Sequence, residues 1–288
     1  MKNLIAIHRD ADAHWVGNGF PVRTIFSYQS LGQCISPFLM LDYAGPADFP
    51  PSDQPRGVGE HPHRGFETVT IVYQGELEHR DSAGNHGTIG PGDVQWMTAA
   101  SGVVHEEWHE QAFTRRGGMF EVVQLWVNLP ARFKMSPPGY QEIVKAQIPV
   151  VALAGGTARV IAGEFQGVRG PAKTFTPVTV VDLRLDANVR MDLAMPEGYT
   201  TLVLVLKGNA VMNGGESAGE ADLAVFDRAG TQLTIEAREE STILVLSGEP
   251  IDEPVVSYGP FVMNTEDEIR QAIQDYRSGK MGRLVVSG

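Results

Sequence analysis

Residues 90–97 read Gly-Pro-Gly-Asp-Val-Gln-Trp-Met, a tight turn that leads directly into an apolar β-strand. Residues 221–226, Ala-Asp-Leu-Ala-Val-Phe, repeat the pattern, and Gly75 after an earlier strand-like segment is matched by Gly208. The two copies lie about 130 residues apart, which indicates an internal duplication. Apolar residues elsewhere alternate mostly with period two. We therefore predict an all-β fold with two similar domains, 1–135 and 136–288, each a sandwich or barrel of short strands.

One segment near the C-terminus has helical rather than β periodicity. Thr265 and Glu268 are spaced as a capping box, and Gly279 provides a stop signal. The apolar positions that share one helical face are Ile269, Ala272, Ile273 and Tyr276. The sequence thus predicts a short C-terminal helix at about 264–277.

Composition narrows the classes of function. The chain has 35 acidic and 23 basic residues, a net charge of -12, which argues against direct binding to nucleic acid or to an anionic membrane. Cys34 is the only cysteine, so an intrachain disulfide and a cysteine-based zinc site are excluded. We see neither a signal peptide nor an apolar run near the ~18 residues of a membrane span. We expect a cytoplasmic protein, and its oligomeric state stays open.

Two short segments carry metal-binding side chains at a spacing of two. They are residues 61–63, His-Pro-His, and residues 105–107, His-Glu-Glu. In a β-strand this spacing puts both side chains on one face. We predict that one divalent transition metal is held, with coordination positions left open, by His61, His63, His105 and Glu107. No histidine follows His109, so only the first of two duplicated domains would keep the site.

Further side chains leave alternatives open. His109 continues the parity of residues 105 and 107 and could replace a ligand, while Glu67 could be a ligand or support one. Glu106 is expected to point away from the metal. His79 and His86 are interpreted as surface residues near the far end of a hairpin. The side chains that could wall a pocket for a flat aromatic ligand are Phe66, Trp96, Met97 and Trp126.

Taken together, these segments resemble the pirin family of the cupin superfamily. The resemblance rests on residues 61–69, 81–85, 91–99, 102–107 and 257–265, and it covers nearly the whole chain. It implies a bicupin, two cupin-type β-barrels, with one metal in the N-terminal barrel on His61, His63, His105 and Glu107. A common form of the family has Ser or Ala where this chain has Glu106, which adds a charge near the site.

The resemblance also implies a function. Several pirins are similar to quercetin 2,3-dioxygenases, which open a flavonol with O2 and release carbon monoxide. We expect one divalent transition metal, iron first, with Mn, Ni, Co, Cu or Zn as alternatives, and Glu107 as general base. The expected partners are O2 and a small flavonol-like substrate. The alternatives are a non-catalytic, redox-sensing regulator that acts through a protein partner, and a cupin isomerase or sugar-binding protein.

Overall fold

The computed structural model describes residues 1–9 and 13–284, and β-strands dominate it. Those of the first half are β1 Leu4–His8, β2 Ala13–Val16, β3 Phe20–Ser27, β4 Phe38–Phe49, β5 Gly57–His63, β6 Phe66–Gln74, β7 Leu77–Asp81, β8 His86–Ile89, β9 Val94–Thr98, β10 Val103–His109, β11 Gly118–Asn128 and β12 Gly139–Ile143. Those of the second half are β13 Val150–Leu153, β14 Gly156–Ala162, β15 Glu164–Phe165, β16 Val168–Arg169, β17 Val178–Leu185, β18 Arg190–Ala194, β19 Thr200–Lys207, β20 Ala210–Met212, β21 Ser217–Ala218, β22 Leu223–Phe226, β23 Gln232–Ala237, β24 Ser241–Gly248, β25 Val256–Tyr258 and β26 Phe261–Met263.

Helices are few and short. The α-helices are α1 Tyr28–Leu31, α2 Gln111–Arg116 and α3 Glu266–Arg277, and single 3₁₀ turns cover Gly32–Ile35, Ala131–Phe133 and Lys145–Gln147. Across the described part of the chain, none of these helices has the length and apolar character needed to cross a membrane. The all-β prediction with one short C-terminal helix is therefore confirmed.

The chain forms two compact units that are not continuous in sequence. Unit 1 comprises Met1–Asp12, Ile25–Phe38 and Ala146–Pro250, and unit 2 comprises Ala13–Thr24, Leu39–Lys145 and Ile251–Gly288. The predicted domains 1–135 and 136–288 are continuous stretches, whereas these units exchange their terminal segments. The N-terminal strand β1 belongs to unit 1 because it is hydrogen-bonded to β22. The C-terminal segment belongs to unit 2 because residues of β26 pack on Val104 of β10.

Both units have the same sheet topology. Unit 2 has a seven-stranded sheet in the order β12-β9-β6-β11-β4-β3-β2, and unit 1 has one in the order β1-β22-β19-β24-β17-β14-β13. Each unit also has a four-stranded sheet, β5-β10-β7-β8 in unit 2 and β18-β23-β20-β21 in unit 1. The position of each strand in one order has a counterpart in the other, as expected of a duplicated fold.

The repeated turn has the same hydrogen bonds in both units. The backbone N–H of Gly90 donates to Oδ2 of Asp93 over 2.9 Å, and that of Gly219 donates to Oδ2 of Asp222 over 2.8 Å. The residue before each aspartate has a positive φ, 95° at Gly92 and 63° at Ala221. A positive φ costs an alanine more than a glycine. The two turns therefore share their geometry even though unit 1 has Ala221 where unit 2 has Gly92.

Helix α3 packs against unit 2 through the apolar face that the sequence predicted. Thr265 is the N-cap and forms the predicted capping box with Glu268, so the helix begins at Glu266, two residues after the predicted start. Ile269 and Ala272 are buried in a cluster whose other members are Val104, Phe261, Met263 and Met281. The C-terminal segment is thereby part of the core of unit 2.

Buried polar contacts fix this segment further. The Lys134 ammonium donates to the carbonyls of Gly65 and Val262, over 2.7 and 3.0 Å, and to the side chain of Asn128 over 2.6 Å. Arg64, which follows the second predicted ligand, is buried and donates to Asp275 of α3 over 3.0 Å. Because isolated buried charges are costly, these contacts specify where the segment lies.

Glu67 supplies a prediction about stability. It is 1% exposed, and burial raises its pKa to about 7 against the opposing hydrogen bond from Thr98. A raised pKa means that the folded state holds the proton more tightly, so stability falls as the pH rises from about 4.5 through about 7. We expect Glu67→Gln to remove this cost. Its unfolding free energy, relative to wild type, should increase by about 2 to 3 kcal/mol between pH 5 and pH 8.

Urea unfolding of both proteins at pH 5 and pH 8 measures this difference, since other titrating groups cancel in the comparison. A difference between variant and wild type that does not change with pH would show that Glu67 is already ionised in the folded protein at pH 5.

Candidate metal centre

Three histidines meet on one face of the four-stranded sheet of unit 2. Antiparallel pairing of β5 and β10 sets His105 opposite His61 and Val103 opposite His63. The ring centroids lie 4.2 Å apart for His61 and His105, 4.8 Å for His63 and His105, and 4.9 Å for His61 and His63. One ring nitrogen from each lies within 4.8 Å of the other two. The predicted alternation in each segment therefore places all three histidines together.

Each ring of this three-histidine group has a nitrogen available to a metal. Nδ1 of His61 donates to the Gly59 carbonyl over 2.8 Å, which leaves its Nε2 as the acceptor. Nδ1 of His63 and Nε2 of His105 are buried without a hydrogen-bond partner among the described residues. Such orphaned buried nitrogens are costly unless another group completes them. A metal ion fits this requirement.

Burial favours the neutral, metal-binding form of two of these rings, His63 and His105. Burial lowers the pKa of His63 well below its usual value, the neighbouring His61 adds to the effect, and a hydrogen bond to the Pro260 carbonyl opposes it. Burial likewise lowers the pKa of His105, with further contributions from the three histidines around it. Neutral imidazole is the form that binds metals.

Glu107 is buried beside His105 but lies outside the three-histidine group. Its Oε1 accepts from the Thr70 hydroxyl over 3.3 Å and from Nε2 of Gln95 over 3.4 Å, and its Oε2 accepts from Nε2 of Gln124 over 3.0 Å. It forms a second group with His105 and His79, within 4.8 Å of one another. The structure thus brings the predicted carboxylate to the site, held by three donors rather than by the histidines.

His79 belongs to this second group, and its interpretation as a surface residue is wrong. It is 2% exposed, since β7 turns Leu77, His79 and Asp81 toward the interior. Pairing with β10 sets His79 opposite Glu107 and Asp81 opposite His105. The alternation of these three residues was a signal in the sequence that would have placed His79 inside. His86, by contrast, is exposed as expected.

The space within the second group is filled by an amide. Nε2 of Gln95 donates to Nδ1 of His79 over 3.3 Å as well as to Glu107. The Tyr140 hydroxyl donates to Oε1 of Gln95 over 3.2 Å, which fixes the orientation of the amide. Of the two groups, the three-histidine group is therefore the one with free nitrogens for a metal.

A cavity opens beside His61 and Glu107. Its volume is about 40 Å³, well below the roughly 300–1,000 Å³ of typical small-molecule sites. Besides those two residues, it is lined by Val16, Phe20, Val22, Asp42, Ala44, Val58, Thr70, Val122 and Gln124. One end is thus polar, next to the candidate metal centre, and the remaining wall is mostly aliphatic.

The aromatic residues predicted to wall this cavity do not line it. Phe66 and Trp126 pack against each other, with centroids 4.3 Å apart, and each lies about 5 Å from the ring of His63. Trp96 and Met97 are fully buried in the core. The apolar wall comes instead from strands β2, β3, β4, β5 and β11.

The remaining candidates have other roles. Nε2 of His109 donates to the Gly19 carbonyl over 2.8 Å, and its ring is enclosed by Phe20, Phe49 and Phe120. Glu67 accepts a hydrogen bond from Thr98 and belongs to neither metal-capable group. As predicted, Glu106 points away from the site.

In unit 1 the equivalent strands carry different chemistry. Strands β18 and β23 take the places of β5 and β10, and their cross-strand pairs include Asp192 with Thr234, whose hydroxyl donates to the aspartate over 2.6 Å. Among the described residues, the grouped metal-capable side chains all lie in unit 2.

Comparison with known proteins identifies the family. Residues 19–127 match the pirin family, and residues 180–282 match the pirin C-terminal cupin domain. A Pseudomonas aeruginosa protein named "Putative quercetin 2,3-dioxygenase" is 56% identical over 285 residues, covering 98% of this chain and 99% of that protein. A pirin-like protein of Solanum lycopersicum is 39% identical, covering 92% and 88%.

A solved structure agrees with these relatives. The crystal structure of a quercetin 2,3-dioxygenase from Acinetobacter baumannii superposes with a TM-score of 0.97 at 50% identity, covering 99% of this chain and 100% of that chain. The duplicated cupin topology, the histidine-bearing strands and the matched sequence lead to one conclusion: this chain belongs to the pirin family.

Proposed function

We propose that this protein is a metal-dependent dioxygenase that opens a flavonol with O2 and releases carbon monoxide. One observation carries the proposal: unpaired histidine nitrogens converge beside a carboxylate at the end of a cavity. The names of the Pseudomonas and Acinetobacter relatives support the same activity.

The proposed metal ligands are His61, His63, His105 and Glu107. The histidines offer three ring nitrogens as they stand, and Glu107 would complete the set by turning from Gln124 toward them. Such a donor set suits a divalent transition metal, with iron as our first choice and Mn, Ni, Co, Cu or Zn as alternatives. When bound, the metal would supply Lewis acidity and redox capacity at this end of the cavity.

Glu107 is the proposed general base. Thr70, Gln95 and Gln124 all donate to its carboxylate, so in this arrangement Glu107 is an acceptor. It lines the cavity, where the 3-hydroxyl group of a flavonol would lie within reach of its oxygens. Glu107 would take that proton and leave the substrate as its more reactive anion.

The cavity walls would orient the substrate and exclude water. Val22, Val58 and Val122 form part of an aliphatic surface, and these side chains would have to move apart for a flat ring system to pack against them. Asp42 is a second acid in the lining, and it accepts a hydrogen bond from the Thr24 hydroxyl over 2.6 Å. It can bind a phenolic hydroxyl group away from the metal end.

The test uses metal-free protein loaded in turn with Fe, Mn, Co, Ni and Cu. With at least one metal, incubation with quercetin should bleach its visible absorbance, consume O2 and release CO. The matched control is His105→Ala treated with the same metal, which should do none of these. Failure of all five metals to give turnover would overturn the proposal.

A second candidate, a metal-dependent regulator, is favoured by a groove on the opposite face of β10. Glu106 and Trp108 line this groove together with Arg80, Asp53 and Arg115, and its empty volume is about 940 Å³. Strand β10 therefore links the candidate metal centre to a charged surface. Absent turnover, combined with metal-dependent hydrogen exchange of residues 103–109, would favour the regulator.

A further inference from the structure

We propose that His79, held by Asp81, is a positioning residue that keeps Nε2 of His105 directed at the metal. This inference rests on the proposed metal centre and adds a residue to it. His79 is buried, and neither the proposed ligand set nor the proposed base includes it.

The hydrogen bonds define the arrangement. Nδ1 of His105 lies 3.4 Å from Nδ1 of His79, and Nε2 of His79 lies 3.3 Å from Oδ2 of Asp81. If Nε2 of His105 binds the metal, its Nδ1 carries the proton and donates to His79. Nδ1 of His79 must then be an acceptor, so its Nε2 carries the proton and donates to Asp81. This assignment gives each contact a donor and an acceptor, and His105 and Gln95 share the one lone pair on Nδ1 of His79.

Asp81 is fixed independently of the histidines. Its Oδ1 accepts from the backbone N–H groups of Ala83 and Asn85, over 2.9 and 3.0 Å, and the Asn85 side chain donates to both carboxylate oxygens. The pKa of Asp81 is lowered, because the hydrogen bonds from His79 and Asn85 outweigh the effect of burial. An ionised acceptor is thus held at the end of the chain.

The His79 ring is also held by contacts with Tyr140 and Gln95. The Tyr140 ring stacks on it with centroids 5.0 Å apart and an angle of 19°. Gln95 donates to Nδ1 of His79 with the same amide nitrogen that donates to Glu107. His79 therefore contacts the predicted ligand His105 directly, and the Gln95 amide links it to a second predicted ligand, Glu107. Partners of this kind orient ligands and commonly change metal affinity about 10–100-fold.

A pair of substitutions separates positioning from packing. His79→Leu removes both ring nitrogens, while His79→Asn keeps an acceptor near the position of Nδ1. We expect His79→Leu to bind Co(II) about 10–100-fold more weakly, with an altered visible spectrum. His79→Asn should recover most of the affinity. The control, His86→Gln, changes an exposed histidine of the neighbouring strand and should match wild type.

The affinity is measured by competition with a chelator, and Tm values of the metal-free proteins report folding separately. Equal affinity in wild type and His79→Leu would overturn the inference, as would equal losses in the Leu and Asn variants. Because affinity is read without turnover, an inactive but metal-binding wild type would overturn the proposed activity alone. A wild type that binds no metal would overturn both proposals.

A measurement on wild type keeps the test valid if His79→Leu does not fold. Nitrogen-15 NMR of the zinc-loaded protein should show His79 protonated at Nε2 and His105 protonated at Nδ1. The opposite tautomer at His79 would contradict the inference, because Nδ1 of His79 could then accept no proton from His105.

Discussion

Replacing His105 with alanine is expected to reduce bound metal from about one ion per chain to none after dialysis. His105 is fully buried at the centre of the three-histidine group and contributes an unpaired Nε2. Its loss leaves two nitrogens and a carboxylate that three other side chains hold. The affinity should fall by more than the about 10–100-fold typical of residues that merely support a ligand. Flavonol turnover should fall to background with it.

Metal analysis of the dialysed proteins provides the measurement, and His61→Ala should behave in the same way. His86→Ala is the matched control, since His86 is exposed and should leave the metal content unchanged. Circular dichroism of the metal-free proteins tests whether folding is retained. If both His61→Ala and His105→Ala retain metal at wild-type stoichiometry, the proposed site is wrong.

Replacing Glu107 with glutamine should lower kcat by about 10²–10⁴-fold at saturating metal, the usual contribution of a general base. Glutamine has nearly the same shape as glutamate, and its carbonyl can still accept from Thr70 and Gln95. It cannot take a proton from a flavonol hydroxyl group. Because the substitution also weakens a proposed ligand, the metal concentration should be raised until the site is filled.

Steady-state kinetics on the metal-saturated variant separates the two roles of Glu107. Loss of the base lowers kcat while KM changes little, whereas loss of the ligand raises the metal concentration needed for half-maximal rate. The comparison variant combines Glu107→Gln with Gln124→Glu, which moves the carboxylate from β10 to β11 of the seven-stranded sheet. Wild-type kcat in Glu107→Gln would assign proton removal to another group.

Local patterns in the sequence predicted the fold and the histidines well. The turn at residues 90–93 and its copy before Asp222 predicted a duplication that the sheet order bears out. Alternation in residues 61–63 and 105–107 brought three histidines onto one face, because parity within a strand survives folding. The capping box at Thr265 fixed the start of α3 to within two residues.

Contacts between distant strands were harder to predict. A register shift where β10 pairs with β5 sets Glu107 opposite Val58 instead of Gly59, and parity alone does not reveal it. The cavity wall comes from residues such as Phe20 and Ala44, which lie far from the metal motifs in sequence. The burial of His79 was not predicted, because a position near the end of a hairpin suggested exposure. The alternation within β7 turns its side chain inward.

The exchange of terminal segments constrains how this protein matures in the cell. His63 and Arg64 contact Pro260 and Asp275, and Lys134 contacts Val262, so the surroundings of the histidines are complete only with the last part of the chain. Those residues are synthesised after the strands that carry the histidines. We expect a nascent chain that ends before residue 251 to lack these contacts, so metal binding would follow their synthesis.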